Sequence, residues 1–157
     1  MDEKIRKIKA GDIAPDFTLK DHDGDDFKLS TYIGKNVLLS FHPLAWTAVC
    51  TQQMQSLEEQ YATFQVLNTV PVGLSVDPIP SKKAWADNIG IKKVPLLSDF
   101  WPHGRVAALY DIFREKNGFS ERTNIVIDTR GNIALFKTYP LSQLPDIQEI
   151  IAAVKVL

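Results

Sequence analysis

Two periods of apolar residues take turns along the chain. Phe17-Thr18-Leu19 and Phe27-Lys28-Leu29 alternate apolar and polar positions around an Asp-rich stretch containing Asp23-Gly24, a dipeptide suited to a tight turn, which predicts an early hairpin. Val37 to Phe41 is a short, mostly apolar run between Gly34 and Pro43, as expected of a strand buried on both faces. Beyond Pro43 the period changes. Cys50, Met54, Leu57, Tyr61 and Phe64 recur at spacings of four, three, four and three, one stripe of an amphipathic helix that starts near Thr47 or Ala48. Val70 to Val76 reads as a second buried strand, Pro80 to Ile89 as a helix opened by proline, Pro95 to Ser98 as a short strand and Val106 to Tyr110 as a helical turn. The polar run Phe113 to Ser120 predicts a connection or a small hairpin. Thr123 to Ile127 and Ile133 to Lys137 follow as two strands joined at Asp128 to Gly131, and Pro145 to Val156 as a closing helix.

Strands alternating with helices, then a late hairpin, predict an α/β fold: a thioredoxin-like three-layer sandwich with a central mixed β-sheet and an N-terminal β-hairpin. No segment repeats and no linker interrupts the chain, so residues 1–157 read as a single domain. Of the 157 residues 45% are hydrophobic, enough for a sizeable core. Basic and acidic side chains number 18 and 19, a net charge of -1 that leaves no footprint for nucleic acid. The apolar runs are far shorter than the roughly 20 residues needed to cross a bilayer, so no membrane partner is expected. The N-terminal residues 1–12 mix charges of both signs without a secretory signal, and there is one cysteine; both point to a reducing, cytoplasmic setting. The histidines at 22, 42 and 103 lack the spacing of metal ligands, so no metal is expected. The Asp-rich run has its glycine too early for an EF-hand, and Tyr32 stands where the closing Glu would be; it reads as a solvated turn.

A lone cysteine is usually a small buried hydrophobe, but position argues otherwise for Cys50. It falls in the first turn of the predicted helix, where the macrodipole and unpaired backbone amides favour an anionic, nucleophilic sulfur. Thr47, three residues earlier, has two compatible readings. Its hydroxyl can cap the helix by accepting a backbone amide, or it can point into the sulfur's pocket and bond both thiolate and substrate. Pro43 is either a strand terminator or a wall shielding the thiolate. On the residues alone, Arg122 is a solvated strand end pairing with Glu121, and His42 a packed strand-end histidine.

Pro43-Leu44-Ala45-Trp46-Thr47-Ala48-Val49-Cys50 has the form Pro-x-x-x-Thr-x-x-Cys and resembles the active-site motif of peroxiredoxins. Gly11 to Phe17 is similar to the family's opening, Asp99 to Gly104 resembles its loop before a short helix, and Glu121 to Asp128 resembles the strand bearing its active-site arginine. The resemblance covers nearly the whole chain. It implies a thiol-dependent peroxidase without metal or flavin, in which the Cys50 thiolate attacks a peroxide oxygen and becomes a sulfenic acid. The Thr47 hydroxyl, the Cys50 amide and Arg122 would cradle the developing charge. Gln53 stands where many members have Glu; its amide can bond Arg122 but brings no negative charge. His42 beside Pro43 is similar to the His-Pro pair of some one-cysteine members.

Without a second cysteine the chain resembles the one-cysteine type, which implies reduction by an external thiol: a low-molecular-weight thiol, a thioredoxin or a glutaredoxin. Members of similar length commonly pair through loops around the active site, which implies a homodimer with Trp46 and the Trp101 loop at its contact. Trp46, Phe100 and Trp101 are also a candidate apolar mouth for organic hydroperoxides, the interface being preferred. Two alternatives stay open: a thiol-disulfide oxidoreductase, which would ordinarily use the Cys-x-x-Cys missing here, and a redox-sensing binding protein switched by Cys50 oxidation.

Overall fold

The computed structural model of the chain describes residues 7–157. Strands β1 (Thr18–Lys20) and β2 (Asp26–Lys28) form the early hairpin, with Leu19 opposite Phe27. After a 3-10 turn at Leu29–Tyr32 come β3 (Asn36–Phe41), α1 (Ala48–Glu59), α2 (Tyr61–Val66), β4 (Thr69–Ser75), α3 (Ile79–Ile89), β5 (Leu96–Ser98) and α4 (Arg105–Leu109). A small hairpin of β6 (Phe113–Arg114) and β7 (Phe119–Ser120) precedes β8 (Arg122–Ile127), β9 (Ile133–Tyr139) and α5 (Ile147–Lys155). The central sheet runs β5-β4-β3-β8-β9. Its first three strands are mutually parallel, β8 is antiparallel to β3 and β9 antiparallel to β8, so the sheet is mixed as expected.

Period-two alternation explains the three layers. All six residues of β3 are buried. Val37, Leu39 and Phe41 face a cluster with Phe17, Leu19 and Phe27 of the hairpin and Tyr110 after α4. Leu38, pointing the other way, joins Cys50, Met54 and Leu57 of α1, Trp85 of α3 and Ile150 and Ile151 of α5. The same alternation puts Ser40, His42, Gly73, Ser75, Arg122 and Asn124 on the helix side. Because β8 is antiparallel to β3, with Phe41 opposite Thr123, the start of β8 lies beside the end of β3. The polar members of both strands therefore gather at one end of the sheet.

Gly73 lets α1 approach that end. A Cβ there would collide with the Met54 sulfur and stand 2.9 Å from Leu96 Cδ2. The stripe that predicted one continuous helix is divided at Gln60, where α1 gives way to α2, yet Phe64 stays buried with Met54 and Leu57. The Asp-rich turn is built on Asp21, whose Oδ1 accepts the amides of Asp23 (2.8 Å) and Asp25 (3.0 Å). His22 within it is buried and accepts the Leu96 amide at 3.1 Å, which fastens the turn to the edge strand β5. Among the described residues no helix is long and apolar enough to cross a membrane.

Gly73→Ala should displace Met54 and lift α1 from β4, lowering the unfolding free energy by about 1–3 kcal/mol in urea titrations, the usual cost of overpacking.

Candidate active site

The parallel ladder runs one residue past β3, with the His42 amide donating to the Leu74 carbonyl at 3.0 Å. Pro43 has no N–H to continue it, so the chain turns away there. Three side-chain bonds hold the loop that follows. The Ala45 amide donates to Asp77 Oδ2 (2.8 Å), the Trp46 indole to Ser81 Oγ (3.0 Å) and the Thr47 hydroxyl to the Leu44 carbonyl (2.8 Å). Trp46 needs such support because its φ of 69° lies in the left-handed region, costly for a bulky residue. The capping reading of Thr47 is corrected: its backbone occupies the N-cap position, but the side chain makes no capping bond. The turn brings the Leu44 carbonyl within reach, so the hydroxyl proton goes there and the oxygen is left as an acceptor.

The first helical bond of α1 joins the Thr51 amide to the Thr47 carbonyl at 2.9 Å. The amides of Ala48, Val49 and Cys50 therefore have no intrahelical acceptor, and the positive end of α1 faces the same place. Cys50 is the third residue of α1 and fully buried. It forms, with Arg122, part of a cavity of about 300 Å³ walled by Pro43, Thr47, Val49, Phe119 and Leu141.

Arg122 is 3% exposed, which overturns its reading as a solvated strand end. Successive strand residues point to opposite faces, so Glu121 turns away and pairs with Arg114 at 2.9 Å. The Arg122 guanidinium donates through Nη1 to Gln53 Oε1 (2.7 Å) and to Cys50 Sγ (3.4 Å), and through Nε and Nη2 to the Leu141 carbonyl (3.1 and 2.7 Å). Gln53 uses both halves of its amide. While Oε1 accepts from Arg122, Nε2 donates to Ser40 Oγ (2.7 Å) and the Phe41 carbonyl (3.2 Å), and the Ser40 hydroxyl donates to Asn124 Oδ1 (2.7 Å). A carboxylate at position 53 would have no N–H for those two acceptors.

His42 lies under the cavity without lining it. Its ring is fully buried and tilted against Trp85 at 5.3 Å, with Nδ1 3.4 Å from the Ser40 carbonyl and Nε2 3.5 Å from Lys82 Nζ. Burial, reinforced by the charges of Lys82 and Arg122, holds it well below the usual histidine range, so it is neutral. Lys82 is itself fully buried, its ammonium 2.5 Å from Ser75 Oγ. Burial pulls it down to about 8, opposed by Asp77, Cys50 and Asp99.

A five-stranded mixed sheet between two layers, with a cysteine at a strand-to-helix junction, is the thioredoxin-like fold. The chain belongs to the AhpC/TSA family, which matches residues 10–136. It is similar to alkyl hydroperoxide reductase E of Mycobacterium tuberculosis, with 41% identity over 127 residues spanning 80% of this chain and 82% of that protein. Peroxiredoxin 2 of Thermoplasma acidophilum is 36% identical over 152 residues, 94% of this chain and 75% of the relative. Among solved structures, the reduced 2-Cys peroxiredoxin of Plasmodium vivax superposes with a TM-score of 0.86 at 27% identity, covering 94% of this chain and 80% of its own. Peroxidoxin BcpB from Mycobacterium tuberculosis gives 0.83 at 27% identity, covering 96% and 98%.

Of the residues singled out in the sequence, Pro43, Thr47, Cys50 and Arg122 meet at one cavity, Gln53 braces Arg122 from below, and His42 sits beneath. Three contributors escaped the sequence reading. Phe119 arrives on the β6–β7 hairpin, Leu141 holds Arg122 by a backbone carbonyl that no residue type announces, and Ser40 hides within an apolar strand. Lys82 carried a legible signal: it shares a helical stripe with Trp85 and Ala86, where a charge is out of place.

Lys82 binds its proton less tightly in the folded protein, at about 8, than in the unfolded chain, at 10.5. Between those values the unfolded state carries the extra proton, so Lys82 makes stability rise with pH. The stability of the wild type relative to Lys82→Met, from urea titrations, should increase from about pH 8 to about 10.5. A difference independent of pH would contradict this.

Proposed function

We propose that this protein is a thiol-dependent peroxidase that reduces hydrogen peroxide and organic hydroperoxides at Cys50. The observation that carries the reading is the buried Arg122 guanidinium, 3.4 Å from the sulfur, whose other partners are the neutral carbonyls of Gln53 and Leu141. A cation that stays charged and meets only neutral groups favours negative charge on the sulfur, in a site where low polarity strengthens the attraction.

The thiolate attacks one peroxide oxygen. An S–O bond forms, the O–O bond breaks with its electron pair on the departing oxygen, and that oxygen leaves as water or an alcohol after taking a proton. Arg122 and the first-turn amide of Cys50 are placed to stabilise the departing charge. Thr47, whose hydroxyl donates its hydrogen bond to the Leu44 carbonyl, accepts from the peroxide hydroxyl and orients it. Pro43 keeps solvent from the sulfur. The resulting sulfenic acid condenses with an external thiol, releasing water, and a second thiol frees Cys50 from the mixed disulfide. A thioredoxin, a glutaredoxin or a low-molecular-weight thiol fits this role, and a reducing, cytoplasmic compartment supplies it. The relatives named as alkyl hydroperoxide reductase and peroxiredoxin support the reading. The apolar walls Pro43, Val49, Phe119 and Leu141 suit the tail of an alkyl hydroperoxide.

We further infer a homodimer. Trp101 is 81% and Trp46 53% exposed, with Phe100 and Leu44 also exposed. Trp46 bonds Ser81 at the start of α3, and Phe100 and Trp101 share a groove with Pro78, Ile79 and Pro80 beside it, so the aromatics flank one surface next to the active-site loop. A second copy of the chain covers it.

Stopped-flow tryptophan fluorescence tests the chemistry. Oxidation should be fast, add one oxygen to the protein mass, reverse with added thiol and vanish in Cys50→Ser. Arg122→Ala should slow it by about 100-fold or more, the range for a lost transition-state donor, and Thr47→Val by about tenfold, the effect of one lost orienting hydrogen bond. Wild-type oxidation no faster than that of a free thiol at matched pH would sink the reading. Phe119→Ala should slow an organic hydroperoxide more than hydrogen peroxide. For the assembly, sedimentation should show a dimer that Trp101→Glu converts to monomers; a wild-type monomer at tens of micromolar would refute it.

A further inference from the structure

Lys82 has no place in the chemistry just described, yet a lysine without exposed surface is rare and needs a reason. Its ammonium donates to Ser75 Oγ, Ser75 donates to Asp77 Oδ2 (2.5 Å), and the same Oδ2 accepts the Ala45 amide (2.8 Å). Ala45 lies midway between Pro43 and Thr47. The relay thus begins inside α3 and ends on the backbone of the loop that sets the position of Thr47 relative to Cys50. Ser81, next to Lys82, holds the adjoining Trp46 indole. Both side-chain ties from outside the loop come from the segment between the end of β4 and the first turn of α3.

The ammonium also acts through its charge. Charged and titratable groups reach it from each element packed around it: Asp77 after β4, Asp99 after β5, Cys50 on α1 and His42 beyond β3. Asp77 divides its carboxylate between Ser75 and the loop, and Asp99 is engaged by the amides of Val106 (3.0 Å) and Ala107 (2.9 Å). His42 is neutral and contributes no counter-charge. After Asp77, an anionic Cys50 is therefore the group that loses most support when this cation is removed.

We propose that Lys82 is a positioning residue for the Cys50 reaction: through Ser75 and Asp77 its buried ammonium fixes the Pro43–Thr47 loop, and its charge adds to that of Arg122 in holding the thiolate. The assignment rests on Cys50 being the reacting group of the proposed peroxidase. Removing the charge should act on the sulfur even without a peroxide, which separates the two ideas.

The test measures two rates for full-length protein: oxidation by hydrogen peroxide, and alkylation of Cys50 by iodoacetamide from pH 5 to 9. Lys82→Met, close in shape and uncharged, should slow oxidation at neutral pH by about fivefold to tenfold and move the midpoint of the alkylation profile to higher pH. Lys82→Gln keeps a donor for Ser75 but carries no charge, so it should move the profile in the same direction; it carries the test if Lys82→Met fails to fold. A folded variant with an unmoved alkylation profile overturns the proposal even if oxidation slows, because disturbed packing alone would produce that result. If the wild type proves slow with peroxides, the peroxidase reading falls, and the alkylation profiles still decide the role of Lys82.

Discussion

The buried positive charge of Arg122 is the constraint around which this molecule is arranged. A guanidinium cannot shed its proton, so burying it requires that its donors be satisfied and its charge answered. Here the donors are satisfied by carbonyls of Gln53 and Leu141, which are neutral, and the sulfur of Cys50 takes the remaining short contact. The charge is left for the sulfur to answer. A surface arginine paired with a carboxylate would have spent its field on that partner and offered little to a neighbour.

The bracing of Arg122 through Gln53 starts at the end of one sheet. The antiparallel pairing of β8 with β3 sets Asn124 opposite Ser40, and from there the bonds run through Gln53 to the guanidinium. This is a chain of neutral groups in which each donor finds an acceptor, the condition under which a buried polar network stabilises a fold. Glutamate at position 53 would break that order by replacing the donor half of the amide. The glutamine is accordingly part of a different but complete solution, one that leaves the cation less neutralised.

The parallel half of the sheet supplies the loop. β3 ends at Pro43 because its ladder cannot continue, and the next residues are held by Asp77 and Ser81 from the far side of β4. Cys50 thus stands between two supports built independently: a network from β8 below and a loop fastened to α3 beside it. Both use small polar residues at strand ends, where the sheet's alternation turns them towards the helices.

The order of elements, the mixed α/β class, the buried strand before Cys50 and the helix that starts at it could all be read from periodicity, because burial imposes a period of two or 3.6 on local sequence. So could the short list of Pro43, Thr47, Cys50 and Arg122, through their resemblance to a known motif. Local sequence could not say that Arg122 is buried while Glu121 is not, since that depends on which face of β8 meets α1. Nor could it say where the Thr47 hydroxyl sends its proton, for the capping amides and the Leu44 carbonyl are equally near in sequence and only the shape of the turn selects between them. The parts played by Phe119 and Leu141 were decided wholly by tertiary structure: each reaches the site from a segment far from Cys50 in the chain, and contacts between distant segments leave no period.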